Sequence, residues 1–187
     1  MITYFNSQID YFNNYEESVV NSSEEFTGIT ILENTEVVAN ESVEFNEQYC
    51  LDNNIQFYKG KIDTIGVGVM TTGSIILTIK RTLSNDSECI SDKFSKALCE
   101  YLKSKELTSA RLDNNDILVD DYKVASGGEI TINGYQYMGY QISINQDLTA
   151  IDNICIEKSK KTPKALSDYN ITTQEIKEFC ETYWNEN

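Results

Sequence analysis

Residues Asn114–Cys155 read NNDILVDDYKVASGGEITINGYQYMGYQISINQDLTAIDNIC, and this stretch decides the fold. Two short β-forming runs, Ile117–Val119 and Tyr122–Ala125, flank Asp120-Asp121 and carry a single lysine, Lys123. Ser126-Gly127-Gly128 is expected to break the second run. Asn133-Gly134 is a strong signal for a two-residue hairpin, because both residue types tolerate positive φ. A lysine on a short strand beside a glycine turn is well placed to meet an anionic ligand. The same pattern also dresses a solvent-exposed sheet edge.

Outward from this segment, the periodicity changes. Ile9, Phe12, Tyr15 and Val19 predict an amphipathic helix over 7–22, Thr27–Leu32 a strand, Val43–Asn53 a helix and Ile55–Tyr58 a strand. Ser74–Ile79 (SIILTI) is a mostly apolar run suited to a buried central strand. Ser91 is a plausible N-cap for a helix over Asp92–Lys105, with Phe94, Ala97, Leu98, Tyr101 and Leu102 on one face. Strands and turns are expected through 116–145. Thr172 with Glu175 forms a capping-box pattern before Ile176, Phe179, Cys180 and Tyr183, which share one helical face. The pattern supports an α/β or α+β fold, a mixed β-sheet packed with helices, in one domain over residues 1–187.

Composition removes whole classes of chemistry. There is no histidine, so no Ser-His-Asp triad, Cys-His pair or imidazole base can exist. The five cysteines (Cys50, Cys89, Cys99, Cys155, Cys180) are odd in number and never spaced C-x-x-C. No zinc site or other metal is expected from them, and buried thiols in a reducing, cytoplasmic compartment are the simplest reading. No stretch approaches the roughly 18 apolar residues that span a membrane, and MITYFNSQID has neither the basic flank nor the apolar core of a secretory signal. The net charge of −15 argues against binding nucleic acid or an anionic membrane. It is also uneven: eleven acidic residues and no basic one precede Lys59. Such a surface serves solubility, a basic protein partner, or acidic mimicry of DNA. The lysines at 158, 160, 161 and 164 read as a solvated loop. Tyr135, Tyr137 and Tyr140 read as packing or partner-facing residues.

The central segment resembles the biotin/lipoate protein ligase superfamily, in its lipoate–protein ligase and octanoyltransferase branches. Asn115, Asp116, Val119, Asp120, Lys123 and Val124 are similar to the ligase motif N-D-[IL]-x-V-D-G-x-K-[IV], which carries an essential lysine. Lys123-Val124-Ala125-Ser126-Gly127-Gly128 resembles the transferase motif K-I-A-S-x-G, with Tyr137-Met138-Gly139 and Asp147-Leu148 similar to its continuation. Glu44-Phe45-Asn46, Asn54-Ile55 and Phe57-Tyr58-Lys59 look like an E-x-N…G-I-x-V-V-R stretch. The ligases' glycine loop is edited: Gly66, Gly68 and Gly73 remain, the glycine triplet is broken, and Met70 stands near the place of a histidine. Met138 replaces a second histidine, and the transferases' nucleophilic cysteine aligns with Glu157, two residues past Cys155.

The resemblance implies the superfamily's catalytic-domain fold without the large accessory domain of many ligases. It also implies a lipoyl, octanoyl or similar acyl group, handled as adenylate or thioester and passed to a lysine of an acyl-carrier or lipoyl domain. Lys123 would then be the electrostatic stabiliser. Gly66, Gly68, Gly73, Ser126 and Gly128 would shape the substrate pocket, with Lys59 or Lys61 in place of the family's arginine. Because the histidines and the glycine triplet are altered, a catalytically inactive pseudoenzyme reused for binding or structure, including in a viral setting, is the alternative expectation.

Overall fold

Strand β5 (Ser74–Thr82) is the axis of the molecule: its first seven residues are all buried, so both of its faces are covered. In the computed structural model, which describes residues 1–62, 72–83, 89–156 and 161–186, β5 is third in a seven-stranded mixed sheet. The order is β1 (Ile2–Phe5), β2 (Phe26–Ile31), β5, β9 (Tyr135–Ser143), β8 (Tyr122–Ile132), β7 (Asp116–Val119) and β6 (Arg111–Asp113). Only β1 and β2 run parallel; the other pairs are antiparallel. Both edge strands are short, which limits edge-to-edge pairing. A separate two-stranded parallel sheet joins β3 (Glu36–Asn40) to β4 (Gln56–Gly60).

Strand parity sorts the large sheet into two faces. Ile29, Leu77, Ile79, Met138, Tyr140, Ile142 and Ala125 project to one face and pack on helices α4 (Ile90–Ser104) and α6 (Thr173–Glu186). There Phe94 stacks on Trp184 at 5.6 Å and meets Tyr140 edge-on at 5.1 Å. Burying each such side chain contributes roughly 1.5–3 kcal/mol. The opposite face carries Ile76, covered by Phe5, Tyr11, Phe12, Val19 and Val38 from β1, helices α1 (Gln8–Asn14) and α2 (Glu16–Asn21), and β3. A third cluster joins the small sheet to α3 (Glu47–Asp52) and α5 (Leu148–Ile154) through Val37, Ala39, Phe45, Cys50, Ala150 and Ile154.

Several sequence expectations change at this level. The helix over 7–22 is two helices, separated at Tyr15 (φ −124°, ψ −33°), and Glu36 on β3 accepts the α1 backbone N–H groups of Gln8 and Ile9. Helix is confined to Glu47–Asp52 rather than 43–53, because Asn46 is its N-cap and accepts from the Tyr49 N–H. The α4 helix starts at Ile90 after Cys89, so Ser91 lies inside it; the Glu129 carboxylate, arriving from β8, takes the Ser91 N–H at 3.0 Å instead. Ser126-Gly127-Gly128 does not interrupt its strand, and β8 runs unbroken for 11 residues. The glycine serves packing: a Cβ on Gly127 would lie 2.0 Å from Cδ2 of Tyr140. Of the five cysteines, Cys50, Cys99 and Cys180 are buried, while Cys89 and Cys155 are only half-buried. The capping box is present, with Glu175 accepting the Thr172 N–H and Thr172 accepting the Glu175 N–H. The Asn133-Gly134 turn has the expected left-handed pair, φ 52° and 82°.

Candidate functional site

Lys123 owes its position to one extra residue. Ile117 pairs with Ala125 and the next β7 residue, Leu118, pairs with Lys123, so Val124 is a bulge. A bulge reverses the alternation of side chains along its strand. Without it Lys123 would share the helix-covered face with Ala125. With it Lys123 joins Leu118, Ser126 and Gly128 on the opposite face, toward the small sheet and α5. Asp120-Asp121 makes this register possible as a two-residue turn with φ 50° and 69°, geometry usually left to Asn-Gly.

A passing segment holds the lysine's backbone. The Lys123 N–H donates to the Thr162 carbonyl and its own carbonyl accepts from the Lys164 N–H, both at 2.9 Å, with Pro163 between them. Lys161 pins the same segment through ion pairs of 2.9 Å to Asp113 and Asp116. Lys164 lies 5.1 Å from the Tyr122 ring centre and 4.3 Å from that of Tyr169. Lys161 and Lys164 therefore bind their own chain rather than forming a solvated loop, while Lys158 and Lys160 lie outside the described residues. Among the described residues the Lys123 ammonium itself makes no hydrogen bond or ion pair.

Cys155, at the end of α5, is the nucleophile-type group within electrostatic range of Lys123. Burial pushes its thiol up and Asp152 adds to the shift, while Lys123 draws it back. Its neighbourhood is tied to the small sheet: Phe45 bridges to Cys155, and the Asn46 N–H donates to the Ile154 carbonyl at 2.9 Å. Glu157 lies outside the described residues.

Beyond Lys123 the same face has a floor of small and polar residues. Ser126 pairs with Gln141 and Gly128 with Gly139. No atom lies within 4 Å of where a Gly128 Cβ would be. Gln141 and Gln146 each donate from Nε2 to the Ser74 hydroxyl, at 3.0 and 2.7 Å. Gly73, with φ 79°, enters β5 beside them; its carbonyl accepts the N–H groups of Ile144 and Asn145, and a Cβ there would strike the Asn145 carbonyl oxygen at 2.1 Å. Glycine is therefore required at 73. Lys61 is exposed, just before residues 63–71; Gly66, Gly68 and Met70 lie outside the described residues. The structure thus places Lys123, Ser126 and Gly128 on one face, with Gly73 at the near end of β5, and leaves Lys61 as a surface residue. Tyr137 faces the same side as the floor, while Tyr140 faces the helices and its hydroxyl oxygen accepts from the Ser95 hydroxyl at 3.0 Å. Among the described residues no group of three or more acidic or cysteine side chains could hold a metal ion, and no helix is long and apolar enough to cross a membrane.

Sequence reading missed Ser74, Gln141, Gln146 and the segment around Pro163. Parity along β9 held the signal for Gln141, since it falls in phase with Gly139 and Tyr137. Pairing with Ser74 and Gln146 depends on the turn after β9, where local pattern carries nothing.

The fold thus brings the bulged Lys123 and the left-handed Gly73 to one mixed sheet. Residues 37–185 match the family of the lipoyl protein ligase A/B catalytic domain, and the chain belongs to that family. Among solved structures it is similar to a bi-partite lipoate protein ligase from Thermoplasma acidophilum, studied with its E2 lipoyl domain (TM-score 0.78, 12% identity, covering 99% of this chain and 81% of that one). It is also similar to LipL1 of P. falciparum in complex with lipoate (TM-score 0.70, 18% identity, 100% and 61%). The third is the biotin protein ligase of Aquifex aeolicus in complex with biotin and ATP (TM-score 0.54, 11% identity, 96% and 63%). No curated protein matches the chain.

Proposed function

We propose that this chain, acting as one unit over residues 1–187, is an acyl–protein ligase that works through an acyl-adenylate, with Lys123 as its electrostatic stabiliser. In such a reaction a substrate carboxylate attacks the α-phosphorus of ATP and pyrophosphate leaves. The amine of a carrier lysine then attacks the acyl carbonyl, loses a proton to solvent, and AMP departs with the bonding pair. Both steps build negative charge on oxygen, and a fixed, otherwise uncommitted cation lowers that cost. The observation that carries this reading is the bulge: it turns Lys123 out of the helix-covered core, and its ammonium makes no hydrogen bond or ion pair among the described residues. The family, a similar ligase in complex with lipoate and another described together with its E2 lipoyl domain support a lipoate- or octanoate-type acid and a lipoyl-domain acceptor.

A second reading rests on Cys155. A thiol in the field of Lys123 suits acyl transfer by thioester exchange: the Cys155 thiolate would attack an incoming thioester, the donor thiolate would leave, and the carrier lysine would take the acyl group. No imidazole is available to activate the thiol, so this reading ranks second.

The test is thermal unfolding with stable sulfamoyl analogues of lipoyl-, octanoyl- and biotinyl-adenylate, on the wild type and on Lys123→Ala. A ligand at 100 times its Kd adds about 2.7 kcal/mol to stability. A shift with one analogue that is lost in Lys123→Ala supports the ligase reading. A Cys155-dependent acyl adduct, seen by mass spectrometry with an acyl thioester, supports the second. The absence of both leaves a binding protein of this fold, to be probed with basic partners.

A further inference from the structure

The floor beside Lys123 is polar in a particular way. Gln8, under the middle of the same sheet face, uses both ends of its amide: Nε2 donates to Thr78 and Oε1 accepts from Thr30. Gln141 and Gln146 use only their nitrogens, both on Ser74. Their carbonyl oxygens have no donor among the described residues, and neither does the Ser126 hydroxyl. Both glutamines are half-buried, so these oxygens are not sealed into the core. Ser74, which holds them, is buried between its neighbouring strands and cannot swing away. Two amides are therefore tethered through their nitrogens to one hydroxyl, on the sheet face where Gly128 leaves open space, with their oxygens left to accept.

Their distance from Lys123 gives this a meaning. Ser126, paired with Gln141, lies three residues along β8 from Lys123, but across the Val124 bulge the two oppose β7 residues only two apart, about 7 Å at the rise of a strand. A substrate whose carboxyl group rests at Lys123 and whose chain follows β8 brings its far end over Gln141 and Gln146. An alkyl end there would cover two carbonyl oxygens and a hydroxyl without giving them a hydrogen bond, which is unfavourable. An end bearing N–H groups would satisfy them.

On the acyl-ligase reading above, we infer that this chain selects a medium-length carboxylic acid that ends in an amide-type N–H donor, held by the carbonyl oxygens of Gln141 and Gln146, over a plain alkyl acid.

A matched pair of probes tests this: the sulfamoyl-adenosine analogues of octanoic acid and of suberic acid monoamide, alike in chain length and different only at the far end. Their Kd values are measured by calorimetry on the wild type, on Gln141→Leu and on Gln146→Leu. On the wild type the amide is expected to bind about tenfold or more tightly than the octanoyl probe, since a site built to pair a polar group rejects the analogue lacking it. Either leucine variant is expected to shrink that ratio or reverse it by improving octanoyl binding, and the two variants guard against one of them misfolding. Equal or tighter octanoyl binding on the wild type overturns the inference while leaving the ligase reading intact. If neither probe binds, the inference falls, and the lipoyl and biotinyl analogues decide separately whether the ligase reading falls with it.

Discussion

Gly127 and Gly128 are adjacent, yet a methyl group on each should act in opposite directions. A Cβ on Gly127 would lie 2.0, 2.6 and 2.7 Å from three ring atoms of Tyr140. That ring is only 2% exposed, meets Phe94 edge-on at 5.1 Å and is held by Ser95 at its hydroxyl, so it has nowhere to retreat. Overpacking of this kind costs about 1–3 kcal/mol. For a chain of this size each kcal/mol moves Tm by about 2–4 °C, so Gly127→Ala should melt about 2–12 °C below the wild type. A Gly128 Cβ meets nothing, and alanine there restricts the unfolded chain, so Gly128→Ala should be neutral or up to about 1 kcal/mol more stable. Urea and thermal melts of both variants, followed by near-ultraviolet circular dichroism of the aromatic core, measure the difference. If Gly127→Ala lies within about 0.5 kcal/mol of the wild type, the packing of Tyr140 against the bare strand is not as described.

Two further outcomes follow from charges that burial or capping has fixed. Lys80 is fully buried, donates to the Val19 and Ser22 carbonyls at 2.8 and 2.5 Å, and lies 4.2 Å from the Tyr135 ring centre. Lys80→Met should cost about 2–4 kcal/mol in urea melts, because it strands two carbonyls at the end of α2; a neutral result would show that water replaces the ammonium. Glu175 has its carboxyl lowered to about 2 by Lys105 and by the N–H and hydroxyl of Thr172. A depressed carboxyl stabilises the fold fully above its unfolded pKa of about 4.3 and loses that effect as pH falls through about 2. The stability advantage of wild type over Glu175→Gln should therefore shrink between pH 4.5 and 2, and a gap that stays constant across that window would refute the capping role.

The parts of the fold that were legible in sequence are those set by local chemistry. The hairpin at Asn133-Gly134, the capping box at Thr172–Glu175 and the buried run of β5 all depend on residues near one another in the chain. Misread elements depend on distant partners. Nothing near Ser91 reveals that Glu129 will cap α4, and nothing near Gly127 reveals the ring of Tyr140. Strand β3 and helix α5 were not anticipated, since neither buries its apolar residues until the small sheet assembles around Phe45 and Ile154. The site was half legible. Motif and glycine pattern pointed to Lys123, Ser126, Gly128 and Gly73, but the face on which Lys123 emerges is decided by the Val124 bulge, a property of register rather than composition.

A chain without histidine restricts which acyl chemistry the site can favour. Thioester exchange at Cys155 needs a thiolate, and there burial and Asp152 both oppose ionisation, with Lys123 alone drawing the other way. Adenylate chemistry needs no base of that strength: the attacking groups are a carboxylate, already ionised, and a carrier amine that can lose its proton to water. What it needs from the protein is a cation held still while charge shifts between phosphate and carbonyl oxygens. Backbone hydrogen bonds on both sides of Lys123, to Thr162 and from Lys164, fix the point from which its side chain extends and leave the ammonium free for a ligand to order. On the proposed reading, such a site would favour the reaction that uses positive charge over the reaction that uses proton abstraction. Lys123→Arg should separate the two. It keeps the charge but not the compact ammonium geometry, so a site acting through a positioned point charge should lose adenylate-analogue affinity, whereas one using Lys123 only to hold the Cys155 thiolate should keep most of its reactivity toward thioesters.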